Sequence, residues 1–294
     1  MTRASSKSAW RTELDNLMRG VAGAFLFGVP FLFTMEVWWK GNFTSPPLML
    51  LFLALAFVSL VLLDLHGGFR TQEARTWLRI FTDSLEALAI ALVTATLSLI
   101  LIGVIRSDTG IEVALGRIIC EALPFSIGVG IANHVLKNTD ENGESRGAGR
   151  KDSSTHPKSE KVWRGTLADS GATALGAVIV AFAIAPTDEI PMIASGLSSF
   201  SLLAFIASSL LVSYIIVFEA DFGAQSIRRS HPGLFQSPIS ETLASYLISL
   251  LISILMLLLF QLLHPGDPLS QWVSYTIVLG FPATIGGAAG RLAI

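Results

Sequence analysis

Long apolar runs separated by short polar breaks dominate the hydrophobic pattern of this chain. A helix needs about 20 residues to cross a hydrocarbon core of roughly 30 Å, and eight apolar segments are long enough. We predict spans near residues 17–38, 47–65, 79–105, 112–136, 164–186, 194–218, 239–263 and 270–292. The pattern therefore predicts an all-α, polytopic membrane protein of about eight transmembrane helices.

A second pattern precedes the first span. Trp10, Leu14, Leu17 and Val21 recur at helical spacing in a polar stretch, which predicts an amphipathic helix over 8–19 lying in the headgroup plane. No small-residue cleavage site follows the first span, so we do not expect a cleaved signal peptide.

The polar stretch from Lys137 to about Lys161 divides the spans four and four. It is rich in Gly, Ser and charge, which is typical of a flexible linker. We therefore predict a first four-helix repeat at 1–136 that includes the amphipathic helix, a cytoplasmic linker at 137–161 and a second four-helix repeat at 162–294.

Shared motifs support a duplication. An offset of 158 residues aligns TDSL at 82–85 with SETL at 240–243, and PFSIG at 124–128 with PATIG at 282–286. Four helices per copy is an even number, so both copies are expected to be parallel, with a pseudo-twofold axis along the membrane normal.

Composition and charge agree with the membrane class. The chain is 52% hydrophobic and 14% charged, against about 25% charged in soluble domains. With the N-terminus inside, the loops on the outer side carry only Lys40 and Arg106. Because Lys and Arg accumulate on the cytoplasmic side, we predict that both termini are cytoplasmic.

The motifs of most enzyme classes are absent. Cys120 is the single cysteine, which excludes an internal disulfide and a multi-thiolate metal site. No HExxH, GxxxxGK[ST], CxxC, GxSxG or dinucleotide fingerprint occurs. We expect no enzymatic activity and no cofactor, and the sequence leaves any metal unknown.

Buried acids are the main candidates for function, because a charge at the bilayer centre costs roughly 3 kcal/mol or more. Glu121 falls near the middle of the fourth span, one turn after Arg117. The two side chains could form a structural pair, or Glu121 could belong to a pore or proton site. The second copy has Leu279 at the position of Glu121.

Further acids stand at the predicted inner ends of spans. Asp83 and Glu86 open the third span, and Glu241 opens the seventh together with a stripe formed by Ser245, Ser249 and Ser253. Such a stripe can line an aqueous path, or its serines can bond their own helix backbone. First-turn acids can also simply complement the helix dipole. Asp64 and His66 mark the inner end of the second span, and Glu219 marks that of the sixth. His66 could relay protons or be an interfacial polar residue.

Two acids correspond at the predicted outer side. Glu36 lies beside Trp38 and Trp39 in the aromatic belt, and Glu189 occupies the matching place in the second copy. They are either interfacial anchors or a cation-attracting mouth. Pro124, Gly128, Pro282 and Gly286 allow two helices to bend and pack closely, or to break and expose carbonyls to an ion.

The segment FLFGVPFLFTMEVWW at 25–39, within this layout, resembles a family of bacterial integral membrane proteins of unknown function. A second, local similarity is to the Arg, Phe-Ser-Asp motif that opens the pore helix of lysosomal-type potassium channels. It concerns the segment Arg79-Ile80-Phe81-Thr82-Asp83-Ser84-Leu85. That motif lies on the first helix of the channel and on the third span here, with Thr82 in place of serine. This likeness implies a cation pathway.

We therefore predict a cation channel or a proton-coupled cation transporter that uses intramembrane carboxylates. The alternative is a non-transporting scaffold or sensor that recruits a soluble partner through the loop at 137–161. The expected partners are the lipid bilayer and a small cation or proton. A homo-oligomer is left open, and nothing indicates nucleic acid.

Overall fold

The computed structural model of the chain describes residues 2–68, 76–133, 158–220 and 237–292. Two compact units divide at the predicted linker, Met1–Lys137 and Asn138–Ile294. The described residues form helices joined by turns, without a strand among them. The prediction of an all-α fold is confirmed.

The first unit is built around one central helix. Its helices are α1 (Thr2–Leu32), α2 (Met35–Gly41), α3 (Pro46–Gly68), α4 (Trp77–Leu101) and α5 (Ile111–Ile131). The last of them, α5, packs against each of the other four. Side chains on α5 are therefore the most enclosed of the unit, and the inward-facing ones lie away from lipid.

A sharp break separates α1 from α2. The two helices meet at 89°, so the predicted span over 17–38 is not one straight helix and bends after Leu32. Pro30 has no amide hydrogen and its ring disturbs the preceding turn. The hydroxyl of Thr34 donates to the carbonyl oxygen of Pro30 at 3.0 Å, and the extended backbone of Thr34 starts a new helix.

The start of α1 also differs from the prediction. The predicted helix over 8–19 is not a separate element, because α1 continues without a break from Thr2 to Leu32. Trp10 is exposed on it, whereas Arg19 is buried. The position of this segment in the headgroup plane stays a prediction.

The second unit repeats the same order of elements. It contains α6 (Lys158–Ile184), α7 (Glu189–Ser195), α8 (Ser199–Tyr214), α9 (Pro238–Leu259) and α10 (Leu269–Leu292), with a π-helical turn at Ile215–Glu219 continuing α8. Here α10 packs against all four other helices. The predicted span over 194–218 begins too early, because the side chain of Ser198 caps α8 by accepting from the amide of Ser201 at 3.2 Å.

Helix boundaries follow the sequence offset. The starts of α5 and α10, Ile111 and Leu269, lie 269 − 111 = 158 residues apart, as do the ends of α4 and α9, Leu101 and Leu259 (259 − 101 = 158). Among the described residues each unit has five helices, one of them only seven residues long. Most of the predicted linker at 137–161 lies outside the described residues, and the parallel arrangement of the two copies stays a prediction.

Among the described residues, seven helices are long and apolar enough to cross a membrane, and an eighth span counts if α1 and α2 form one bent span. The two faces of α9 indicate how such a helix meets lipid. Leu247, Leu251 and Leu255 are more than half exposed, whereas Ser249 and Ser253 are fully buried. An apolar outer face with the polar groups inside is the arrangement expected when the helix is surrounded by lipid and not by water. The chain is therefore a polytopic membrane protein.

Glycines let the central helices approach their neighbours at the backbone. A Cβ atom on Gly128 would lie 3.0 Å from the carbonyl carbon of Gly23, and one on Gly286 would lie 2.5 Å from the carbonyl oxygen of Gly176. The helices α5 and α10 also continue unbroken past their prolines, Pro124 and Pro282. The structure therefore has the close packing that was one of the two alternatives for these residues, and not broken helices.

Because α6 and α10 pack so closely, we expect two glycine substitutions to differ strongly in their effect on the free energy of unfolding. We expect Gly286→Ala to lower the free energy of unfolding by about 1–3 kcal/mol, because the new methyl group overpacks the helix pair. Gly171→Ala on α6 is the control, because its Cβ would meet nothing within 4 Å and alanine favours a helix. Thermal unfolding in detergent measures both. Equal unfolding temperatures for the two variants would contradict this packing.

Candidate ion-binding sites

Glu121 occupies the middle of the central helix of the first unit. It is the eleventh of the 21 residues of α5, and its side chain is 0% exposed. Neither carboxylate oxygen has a hydrogen-bond partner among the described residues. A buried ionised carboxylate without a partner costs many kcal/mol, so a proton or a cation has to accompany this group.

Arg117 does not neutralise Glu121, although it lies one turn earlier on α5. Its Nε donates to the side-chain oxygen of Asn42 at 2.7 Å, and one terminal nitrogen donates to the carbonyl oxygen of Val104. The arginine thus ties the start of α5 to the turns that follow α2 and α4. The structural pair considered from sequence is therefore not formed.

A polar cavity of about 230 Å³ lies at the opposite end of α5. It opens where α3 and α5 end and α4 begins, about 18 Å along the axis from Glu121, since Asn133 follows twelve residues later. Its walls come from α1, α3, α4 and α5 and its lining is mostly charged or polar: Glu13, Asn16, Arg19, Leu60, Asp64, Arg79, Asp83, Ser84, Glu86, Ala87, Ile90, Gly130 and Asn133.

Three acids predicted from sequence meet in this cavity. Asp64 is buried and accepts a hydrogen bond from Ser84 at 3.3 Å, Asp83 is half-buried, and Glu86 is exposed. Sequence reasoning missed Arg19 and Asn133, which line the same space. Position 133 matches Arg291 under the offset of 158, which was the available signal.

An apolar layer separates the cavity from Glu121. Phe125 and Val129, one and two turns after Glu121, are fully buried in a cluster with Leu88 of α4 and Leu60 of α3. The ring of Phe125 packs directly on Gly28 of α1, where a Cβ would lie 2.6 Å from its Cγ. The two polar regions of the first unit are thus distinct sites.

The second unit holds a guanidinium group at the corresponding end. Arg291, near the end of α10 and 1% exposed, forms an ion pair with Glu241 at the start of α9. It also donates to the hydroxyl of Ser245 at 3.0 Å and lies 5.9 Å from the ring centroid of Phe218. Glu241 is therefore held by a cation that belongs to the protein itself.

The serine stripe of α9 packs inside the second unit. Ser249 donates to the carbonyl oxygen of Ser245 at 3.0 Å, and Ser253 donates to that of Ser249 at 2.8 Å. A Cβ on Gly287 would lie 3.0 Å from the Ser249 hydroxyl, so the stripe faces α10. Of the two alternatives for these serines, the structure contains the bonds to their own helix.

The remaining predicted residues lie near helix ends. Glu36, exposed, and Glu189, half-buried, stand in the first turns of α2 and α7, and their joint role as a mouth stays a prediction. Glu219 ends the π-helical turn, and the side chain of His66 lies outside the described residues. Within the described parts of the chain, no group of three or more His, Cys, Asp or Glu residues could hold a metal ion.

These helices and buried polar groups define an integral membrane protein with several spans. The chain belongs to the DUF2391 family of integral membrane proteins, whose family model matches residues 16–294. The resemblance to a membrane family of unknown function is thereby confirmed. No curated protein and no solved structure matches the chain, and the local similarity of 79–85 to potassium channels stays a prediction.

Proposed function

We propose that this protein is a membrane ion pathway, either a cation channel or a proton-coupled cation transporter, with Glu121 as its central acid. The observation that carries the proposal is a carboxyl group that is fully buried midway along a central helix and has no hydrogen-bond partner. Acids inside membranes tend to mark ion or proton routes because their burial is costly.

A purely structural role accounts poorly for Glu121. A structural acid lowers its burial cost by pairing, yet the arginine one turn away binds Asn42 and Val104 instead. A leucine at this position would avoid the cost of burying a carboxylate, and the second unit has Leu279 at the equivalent position. Glu121 is therefore best explained by the exchange of a proton or a cation with its surroundings.

The proposal includes an orientation in the bacterial inner membrane. With both termini cytoplasmic, the cavity at the end of α5 faces the cytoplasm and the start of α5 faces outward. A single cysteine at the exposed position 112, in a Cys120→Ala background, should react with an impermeant maleimide added to intact spheroplasts. Reaction only after the membrane is opened would reverse the orientation.

Flux in proteoliposomes tests the function itself. Purified protein is reconstituted, and proton, potassium, sodium and calcium gradients are imposed in turn. We expect selective flux well above that of empty liposomes for at least one cation. Flux equal to that of empty liposomes under every gradient would overturn the proposal in favour of a scaffold that recruits a partner through the loop at 137–161.

A further inference from the structure

We propose that the cavity of the first unit binds a small organic cation that carries a guanidinium or primary ammonium group. The inference does not depend on Glu121 or on transport. It comes from a comparison of the two units, because the second unit places a guanidinium group of its own at the equivalent position.

The equivalence follows from the offset of 158 that also relates the helix boundaries. Glu241 corresponds to Asp83, and Arg291 corresponds to Asn133. In the second unit the guanidinium of Arg291 contacts the carboxylate of Glu241. In the first unit Asp83 keeps the acid, whereas Asn133 is shorter and neutral, and both line the cavity.

The space left by this exchange is large enough for a ligand. Liquid water occupies about 30 Å³ per molecule, and the cavity measures about 230 Å³. That volume accommodates a guanidinium or ammonium group on a short chain with a few waters. A group of this kind fits the cavity chemically, because in the second unit the guanidinium of Arg291 pairs with the equivalent carboxylate of Glu241.

Charge in the lining favours a cation. The cavity is lined by the carboxylates of Glu13, Asp64, Asp83 and Glu86 and by the guanidinium groups of Arg19 and Arg79. Among the described residues of the lining, the carboxylates exceed the guanidinium groups by 4 − 2 = 2. A concave wall with excess carboxylate concentrates small cations by its local field. A donor with several N–H groups also matches carboxylate oxygens by charge-assisted hydrogen bonds.

Equilibrium dialysis of radiolabelled guanidinium against the purified full-length protein in detergent tests the site. We expect saturable binding by the wild type, and binding at least tenfold weaker in Asp83→Asn. Asn133→Arg should abolish saturable binding, because it places at position 133 the guanidinium that the second unit has at position 291. Glu112→Gln, on the same helix but at its far end, is the control and should bind as the wild type does.

Two further arms separate the sources of the cationic group. Methylammonium should compete with guanidinium if a free small cation is the ligand. Short-chain phosphatidylethanolamine competing while methylammonium does not would assign the cavity to a lipid headgroup with the same ammonium chemistry.

Thermal unfolding of each variant checks that it is folded, and Asp83→Asn keeps the test decisive if Asn133→Arg does not fold. The proposal is overturned if the wild type shows no saturable binding, or if both variants bind guanidinium as the wild type does. Flux without guanidinium binding would refute this site and leave the ion pathway standing. Guanidinium binding without ion flux would support this site and refute the ion pathway.

Discussion

Glu121→Gln is expected to reduce ion flux in proteoliposomes to the level of empty liposomes. Glutamine has nearly the same size and shape, but it carries neither a titratable proton nor the negative charge that would bind a cation. The replacement also removes a buried ionisable group that has no hydrogen-bond partner. The protein should therefore keep its thermal stability while it loses transport.

The control is Glu112→Gln, which removes an exposed acid from the first turn of the same helix. It should leave flux close to that of the wild type, because the carboxylate of Glu112 is in water and the helix dipole contributes little there. Wild-type flux from well-folded Glu121→Gln protein would remove Glu121 from the mechanism.

Glu241→Leu is expected to destabilise the protein severely. The substitution takes away the carboxylate that is paired with the guanidinium of Arg291, whose side chain is 1% exposed. Removing one partner of a fully buried ion pair typically costs about 3–5 kcal/mol. Because the side chain of Glu241 is 29% exposed, we expect a fall near the lower end of this range in the free energy of unfolding, measured by thermal or denaturant unfolding in detergent.

Two matched variants separate the ion pair from general damage. The double variant Glu241→Leu/Arg291→Met should recover most of the loss, since a packed apolar pair often replaces a buried ion pair without cost. Asp83→Leu changes the equivalent acid of the first unit, which is half-buried beside a cavity, and should cost less than half as much. A double variant no more stable than Glu241→Leu would argue that Arg291 stabilises the second unit in another way.

The spans were predictable because hydropathy reports what a bilayer demands of a helix. What the pattern does not report is where an apolar run bends. Residues 17–38 are mostly apolar, and the turn after Leu32 depends on hydrogen bonds made by Thr34 to the preceding turn. The short helices α2 and α7 were hidden for this reason. The close backbone approach at Gly128 and Gly286 was foreseen, because glycines at a helix interface allow it.

Side-chain partners were harder to predict than helices. The spacing of Arg117 and Glu121 favours a pair, but spacing on one helix does not say which groups from other helices compete for the arginine. Asn42 and the carbonyl of Val104 come from distant parts of the sequence and bind it instead. Arg291 was likewise overlooked as the partner of Glu241, because 50 residues separate them (291 − 241 = 50).

On the proposed function, the apolar layer around Phe125 would be the barrier that lets the membrane hold a voltage. Apolar interior spaces stay dry, so the described residues leave no file of water molecules between Glu121 and the cavity while the ring lies on Gly28. An ion pathway through the first unit would be closed in this conformation, and conduction would require Phe125 to leave Gly28. The proposed pathway would then act as a valve that is shut at rest.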